Sequence, residues 1–322
     1  MSVAPNTPPL QLKVARKEEV ARGIHVFELR DPAGDPLPAF TAGAHVALRT
    51  PNGLERKYSL CNDPAERERY VLAVQREAEG RGGSIALVDA TQVGDLLTVS
   101  APINDFPLPE RATDFIFIAG GIGITPILAM IRRLQALPDK RFKLYYCSRS
   151  PEMTAFLNEL SVPELNGKVV IHHDGGDPTR AFDFWPILEE RKNRAHVLCC
   201  GPRGLMQAVR DTSGHWPSTA VHFEAFSEPE RTKPDDTAII VRLAKSGEEI
   251  EVPVGTTILE ALRAHGLDVP SSCETGTCGT CRTKLLDGEA DHRDLVLAEH
   301  ERGNNIMICV SRARSPKLTI DR

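Results

Sequence analysis

Pro270-Ser271-Ser272-Cys273-Glu274-Thr275-Gly276-Thr277-Cys278-Gly279-Thr280-Cys281, with Cys309 much nearer the C-terminus, is the stretch from which the rest of this sequence is read. Three cysteines spaced C-x4-C-x2-C with a distant fourth form the ligand set of a [2Fe–2S] cluster. Bringing three sulfurs close together in one loop requires unusual backbone angles, and Gly276 and Gly279 stand between the ligands to supply them. Backbone N–H groups in such a loop can turn inward and stabilise the anionic sulfurs. The rival is a structural zinc site. Zinc, however, pairs its cysteines in two separated knuckles, and here three crowd into a single loop. The spacing therefore predicts Cys273, Cys278, Cys281 and Cys309 as metal ligands, and the upstream chain must deliver electrons or take them away.

Bulk properties narrow the partners. The chain has 322 residues, room for two or three domains. Its 39 Lys and Arg against 44 Asp and Glu give a net charge of −5, which offers no basic surplus for nucleic acid. Residues 1–9 lack the apolar core of a signal peptide, and no run is long enough for a membrane span. A cytoplasmic location is expected, where four thiolate ligands stay reduced. Cys61, Cys147, Cys199 and Cys200 lie in or beside apolar runs and read as small buried hydrophobes.

From Leu10 to about Ser100 the sequence consists of short alternating runs, such as Leu10–Val14, Ile24–Leu29, His45–Leu48 and Tyr70–Val74, cut by turn residues. That pattern predicts an antiparallel β-barrel over residues 1–106. Two islands break it: Arg56-Lys57-Tyr58-Ser59 and Gly80-Arg81-Gly82-Gly83-Ser84-Ile85. Alone, an Arg and a Tyr on a strand read as edge residues. The glycines, followed by Ser and a helix, expose backbone N–H groups suited to a phosphate, with Arg81 as a charged donor. Together the islands resemble the R-x-Y-S and G-G-x-S elements of the ferredoxin–NADP reductase superfamily. The resemblance implies that Arg56, Tyr58 and Ser59 line a flavin, while Arg81, Gly82, Gly83 and Ser84 hold its phosphate.

After Phe106-Pro107-Leu108-Pro109 the period changes. Apolar runs beginning at Phe115, Lys143, Val169, His196 and Val221 recur at β-α spacing, and Ile127, Leu128, Ile131 and Leu134 repeat as on a helix whose outer face carries Arg132-Arg133. Helices are also expected over 154–160 and 204–210. A doubly wound α/β domain is predicted over residues 107–226, with its ligand at the carboxyl ends of the strands. The first such junction reads Gly120-Gly121-Ile122-Gly123-Ile124-Thr125-Pro126. It lacks the third glycine of a Rossmann fingerprint, and Pro126 suits the first turn of a helix. Cys200-Gly201-Pro202 ends a later strand. The two motifs, in this order, resemble the pyridine-nucleotide domain of the same superfamily. By that resemblance Gly121, Gly123, Thr125, Gly201 and Pro202 approach the nucleotide, Cys200 lies near the nicotinamide, and Phe226 is the aromatic that stacks on the flavin. Thr125, Cys200 and Phe226 are thus the candidates for the hydride-transfer site. Asp174, after the third strand, opposes a 2′-phosphate and favours NADH, although Arg149 after the second could serve a phosphate. His172 and His173, adjacent on a strand, point to opposite faces and do not suggest a metal.

Residues 227–236 are charged and read as a linker. Beyond them, a strand pair, a short helix and the cysteines resemble a β-grasp plant-type ferredoxin over residues 237–322. The whole chain is thus similar to the one-component reductases of class IA Rieske-type oxygenases. That resemblance implies FMN as the flavin and NADH as the hydride donor. It also implies single-electron transfer through [2Fe–2S] to a Rieske-type terminal oxygenase, a phthalate dioxygenase first, with aryl-ether, vanillate or carnitine oxygenases as alternatives. A monomer follows from the same likeness, while the net charge and the lack of a long apolar run predict no nucleic-acid or membrane association. The competing view is a non-enzymatic iron–sulfur protein.

Overall fold

The computed structural model describes residues 8–226 and 232–322. It divides into two compact units, Met1–Leu205 and Met206–Arg322.

The first unit opens with strands β1 (Leu10–Ala21), β2 (Ile24–Arg30), β3 (His45–Arg49), β4 (Glu55–Ser59) and β5 (Tyr70–Gln75), helix α1 (Gly83–Ala90) and strand β6 (Leu96–Val99). Alternation sets the inward faces: Leu12 and Val14 are fully buried while Gln11 and Lys13 face water. The sheet order is β4-β3-β6-β1-β2-β5, and a Leu60–Leu72 bridge with Cys61 N donating to Val71 O at 2.9 Å joins the two outer strands. The closed barrel leaves no open edge.

Strands β7 (Asp114–Gly120), β8 (Arg141–Ser148), β9 (Val169–His173) and β10 (Ala195–Cys200) form a parallel sheet in the order β10-β7-β8-β9. Helix α2 (Ile124–Gln135) buries Ile127, Leu128, Ile131 and Leu134 as its periodicity predicts. Its Arg132 departs from the expected outer face. The half-buried guanidinium folds onto the Cys61 carbonyl and Glu159, leaving Arg133 alone in water. The helix expected over 154–160 shrinks to the single turn α3 (Leu157–Leu160), because Phe156 at its start takes a left-handed φ of 60°; a second single turn, α4 (Trp185–Leu188), precedes β10.

The expected boundary at 106/107 does not separate two cores. Ile24, Val26, Cys61 and Val71 of the barrel share one apolar cluster with Phe117 and Leu144 of the sheet and Ile127 of α2. The division between the two units falls inside α5 (Arg203–Thr212). Within the second unit, Arg210 near the end of α5 donates to the carbonyls of Asp294 at 2.9 Å and Leu297 at 3.0 Å.

The second unit continues with β11 (Val221–Glu224), β12 (Ile239–Leu243), β13 (Glu249–Val252), α6 (Ile258–Ala264), β14 (Arg282–Asp287), β15 (Ala290–Asp291), α7 (Glu299–Arg302), β16 (Asn305–Met307), β17 (Arg312–Ala313) and β18 (Lys317–Ile320). A mixed sheet in the order β13-β12-β18-β14-β16 grasps α6, and β15 pairs with β17. Helix α6 starts at a capping box: Thr257 Oγ1 accepts from Glu260 N at 3.1 Å, and Glu260 Oε2 from Thr257 N at 2.9 Å.

Of the expected linker, residues 227–231 lie outside the described residues. Its C-terminal end is fastened. Asp236, whose side chain is 6% exposed, pairs with the 4% exposed Arg293, which also donates from Nε to Asp291 at 2.7 Å. Lys233 reaches Asp291 at 2.9 Å. Hydrogen bonds from Arg293 hold the Asp236 carboxyl below its usual value, against burial, which acts the other way. A depressed folded value means this stabilisation is complete above the ordinary carboxylate pKa of about 4 and is lost as pH falls through the folded value. Arg293→Ala removes the guanidinium that two buried carboxylates share, leaving Asp291 to Lys233 and Asp236 to the more distant Arg312. It is expected to cost the Met206–Arg322 unit about 3 kcal/mol in denaturant unfolding and to flatten the acid limb of its stability profile.

Candidate functional site

Three constellations emerge, two on the first unit and one on the second. On the barrel, the two sequence islands meet. Helix α1 begins after Gly82, whose φ of 79° is left-handed. A side chain on Gly83 would meet Arg56 Nε at 2.9 Å, so Arg56 lies across the start of the helix. Ala86 N makes the helix's bond to Gly82 O at 3.0 Å, which leaves the amides of Gly83, Ser84 and Ile85 as the helix's leading donors. Asn52, unmarked by any motif, donates to Gly82 O at 3.3 Å, and Glu77 N donates to Ser84 Oγ at 3.1 Å. Tyr58 is half-buried beside Arg56, its phenol pushed up to about 12 by burial against the opposing pull of Arg56. Ser59 is buried and Arg81 exposed. This surface joins a guanidinium, a phenol and helix-terminal amides, a fit for a flavin and its phosphate.

At the carboxyl edge of the parallel sheet, the two glycine motifs pack backbone on backbone. A side chain at Gly120 would meet Pro202 Cδ at 2.6 Å, one at Gly201 would meet Gly120 Cα at 2.9 Å, and one at Gly123 would run into the carbonyl of Cys200. The glycines are therefore required by close approach, while Gly121 alone is left-handed, with φ 51°. Thr125 is 2% exposed, and its hydroxyl donates to Ile122 O at 3.1 Å, closing the turn. Tyr146, which by sequence pattern is a core residue, donates its hydroxyl to Gly121 O at 3.1 Å and props the loop from below. Cys200 is fully buried at the end of β10. Cys61 and Cys147 are also buried, with thiols pushed up to about 12 chiefly by desolvation, which suits inert packing. Asp174 N donates to Ser148 O at 3.3 Å, and Gly175 N donates to Arg149 O at 2.9 Å. The Asp174 carboxylate accepts from Gly176 N at 2.7 Å, so Asp174 and Arg149 share one loop face. His173 meets Thr154 and His172 meets Arg180 O, partners on different elements. Phe226, on the second unit, is 44% exposed.

The cysteine loop carries three left-handed residues, Glu274 with φ 56°, Gly276 with φ 76° and Gly279 with φ 86°. A side chain on Gly276 would meet Val310 Cγ2 at 2.7 Å, so the close approach of the turn that carries Cys309 favours glycine there. The non-glycine Glu274 is held by Arg263 Nη1 at 2.8 Å and by Ser271 Oγ at 2.7 Å. The four sulfurs gather in two pairs. Cys278 bonds to Cys273 and Cys309 to Cys281; in each pair the bond lowers the acceptor thiol, Cys273 or Cys281, and raises its partner. Among the described residues no three His, Cys, Asp or Glu groups surround a single metal position. Two thiolate pairs fit two irons better than one tetrahedral zinc. Thr275 N donates to Cys273 Sγ at 3.4 Å, as an anionic sulfur wants. Cys273 and Cys278 are partly exposed, and Cys281 and Cys309 are buried.

Comparison with known proteins agrees with this composition. A family model described as an oxidoreductase FAD-binding domain matches residues 11–107, and one described as a 2Fe-2S iron-sulfur cluster binding domain matches residues 241–314. Phthalate dioxygenase reductase of Burkholderia cepacia is 55% identical over 312 residues, 97% of each chain. The phthalate 4,5-dioxygenase oxygenase reductase subunit of Pseudomonas putida is 54% identical over 96% of each, and the carnitine monooxygenase reductase subunit of Escherichia coli K12 is 38% identical over 97% and 98%. A solved phthalate dioxygenase reductase, a modular structure for electron transfer from pyridine nucleotides to [2Fe–2S], covers 98% of each chain with a TM-score of 0.70. Barrel, parallel sheet and cysteine loop follow one another as these relatives require, and the chain belongs to the phthalate dioxygenase reductase family of iron–sulfur flavoprotein oxidoreductases.

Proposed function

We propose that this chain moves electrons from NADH through FMN and a [2Fe–2S] cluster to a Rieske-type phthalate dioxygenase, working as a cytoplasmic monomer. The observation that carries the reading is the meeting of four cysteines as two pairs in a chain that also brings an arginine-tyrosine strand onto a glycine-led helix. Identity favours the phthalate acceptor: 55% to that reductase against 38% to the carnitine one. When bound, the flavin accepts a hydride and releases its electrons singly, and the cluster carries one electron at a time.

The protein's own role is placement. Arg56 and the amides of Gly83 and Ser84, with Arg81 and Gly82, anchor the phosphate, and Tyr58 and Ser59 line the ring. Gly121, Gly123, Gly201 and Pro202 let the nucleotide pyrophosphate approach backbone. Thr125 fixes the turn while its oxygen keeps acceptor capacity, and Cys200 closes the strand end beneath the nicotinamide. Asp174 places negative charge where a 2′-phosphate would lie, which supports NADH over NADPH. Phe226 is assigned as the stacking aromatic by family likeness. Cys273, Cys278, Cys281 and Cys309 hold the irons, and the partly exposed first pair is the natural exit for electrons. Among the described residues no helix is long and apolar enough to cross a membrane.

Anaerobic titration with NADH tests the proposal. Flavin absorbance is expected to bleach as a reduced [2Fe–2S] resonance appears, with NADPH at least about tenfold less effective, and turnover should follow addition of phthalate dioxygenase but not of a carnitine oxygenase. A cluster that stays oxidised while flavin bleaches, or a preference for NADPH, would overturn it.

A further inference from the structure

We propose that His292 and Asp294 form a proton-uptake site coupled to the charge on the iron–sulfur cluster. The inference rests on the reading of the chain as a cluster-bearing reductase. It starts from one hydrogen bond. His292 Nε2 lies 3.1 Å from the carbonyl oxygen of Arg302, and because a carbonyl only accepts, Nε2 carries the hydrogen. In the neutral ring Nδ1 is then a bare acceptor, and it faces Asp294 Oδ1, another acceptor, at 3.7 Å. The two side chains are 13% and 0% exposed, and neither facing atom has a hydrogen-bond partner. Two buried acceptors left facing each other are costly. One proton on Nδ1 converts them into a charge-assisted pair. The imidazole is the more basic of the two groups, and Asp294 Oδ2 already accepts from Val296 N at 3.0 Å and Leu297 N at 2.7 Å.

Charged groups from three elements surround the pair. On its own segment, the Arg293 guanidinium is committed to Asp291 and Asp236. From α7 come Arg302, whose Nε is a third buried atom without a partner, and Glu299, which binds Arg302 Nη1 at 3.1 Å. From α5 comes Arg210, on the carbonyls of Asp294 and Leu297. Asp294 and Glu299 bring negative charge and Arg210 and Arg302 positive charge, so no single sign dominates around the pair.

The electron on the cluster adds one further charge. Leu295 N donates to Gly276 O at 3.0 Å, inside the cysteine loop, and Arg293 N donates to Ser311 Oγ at 3.2 Å, just past Cys309. The segment bearing the pair is thus bonded to both cysteine-bearing stretches. On reduction the electron comes from NADH by way of the flavin and the proton from solvent. On oxidation by the acceptor the electron leaves and the proton returns, and no bond to sulfur forms or breaks. The reduced state binds the proton more tightly, so reduction is favoured at low pH and weakens as pH rises between the ring's two titration points.

The test is a mediated redox titration of the full, cofactor-loaded chain, followed by cluster paramagnetic resonance from about pH 5.5 to 9. In the unaltered protein the reduced-to-oxidised ratio at fixed potential is expected to fall by up to about tenfold per pH unit within the window. His292→Gln removes the titrating ring and should abolish the slope. Asp294→Asn keeps an oxygen for the two backbone donors and offers N–H to Nδ1, so it should flatten the slope too, and it serves if the first variant fails to assemble a cluster. A pH-independent ratio in the unaltered protein, or a slope surviving in an assembled variant, overturns the proposal. Because the titration uses mediators, failure of NADH to reduce the cluster would instead count against the electron-transfer reading.

Discussion

Cys309→Ser is expected to leave a chain whose flavin is still bleached by NADH but which passes no electron onward. Cys309 is 3% exposed at the junction of β16 and β17, hydrogen-bonded to Cys281, and Leu259 of α6 donates to the adjoining Ile308 carbonyl at 3.0 Å. The ligand is thus fixed in place by the fold, and no cysteine beyond the four stands in either cysteine-bearing stretch. A serine hydroxyl is a harder, more basic ligand that an iron–sulfur site accepts poorly. Loss of even a supporting contact at a metal site costs about 10- to 100-fold, so loss of a ligand should reduce cluster content and oxygenase turnover by at least about 100-fold. The flavin and nucleotide constellations belong to the Met1–Leu205 unit, whose core contains none of the four cysteines, so flavin content and its rate of reduction by NADH should change less than about twofold. Visible absorbance, iron content and stopped-flow reduction separate the two effects. Equal loss of flavin reduction and cluster would show that the units do not act independently.

How legible this was depends on where the determining physics lies in the chain. The cysteine spacing is local, and a loop that must hold three sulfurs writes its glycines beside them, so the cluster loop could be read directly. The R-x-Y-S and G-G-x-S islands were legible as motifs, but only the fold shows Arg56 against Gly83, a meeting across 27 positions. The roles of Tyr146, Asn52, Arg210 and the His292–Asp294 pair were not legible for the opposite reason. Each acts through a backbone carbonyl or a neighbour far away in sequence, and a tyrosine in an apolar run looks like core whatever its hydroxyl does. The boundary expected at Pro107 does not divide the apolar core because composition marks a change of secondary structure, not whether apolar faces on either side find each other. Arg132 illustrates the same limit, since its half-buried place is set by a carbonyl on another element.

Gly123→Ala is expected to damage the nucleotide step selectively, and its contrast with Gly121→Ala identifies the cause. A methyl group at position 123 would run into the carbonyl of Cys200 and sit 2.8 Å from Gly201 N, so the G-G-x-G turn and the C-G-P turn must move apart. Both contacts are backbone, which cannot swing away as a side chain would, and overpacking of this kind costs about 1–3 kcal/mol. Because the displaced turns are the proposed nucleotide cradle, most of that cost should appear in NADH affinity, raising KM by about 10- to 100-fold, while flavin and cluster spectra stay unchanged. Gly121 has the more unusual backbone, with φ 51°, yet a methyl there meets nothing within 4 Å. Alanine at that position therefore costs only left-handed strain, about 1 kcal/mol, and should alter KM no more than about fivefold. Should Gly121→Ala prove the more harmful, the space beside Gly121 must be filled by the bound nucleotide itself, and the glycine would be kept for close approach to the cofactor rather than for its backbone angle. The two variants together thus distinguish a cradle built by loop-to-loop packing from one shaped by the ligand.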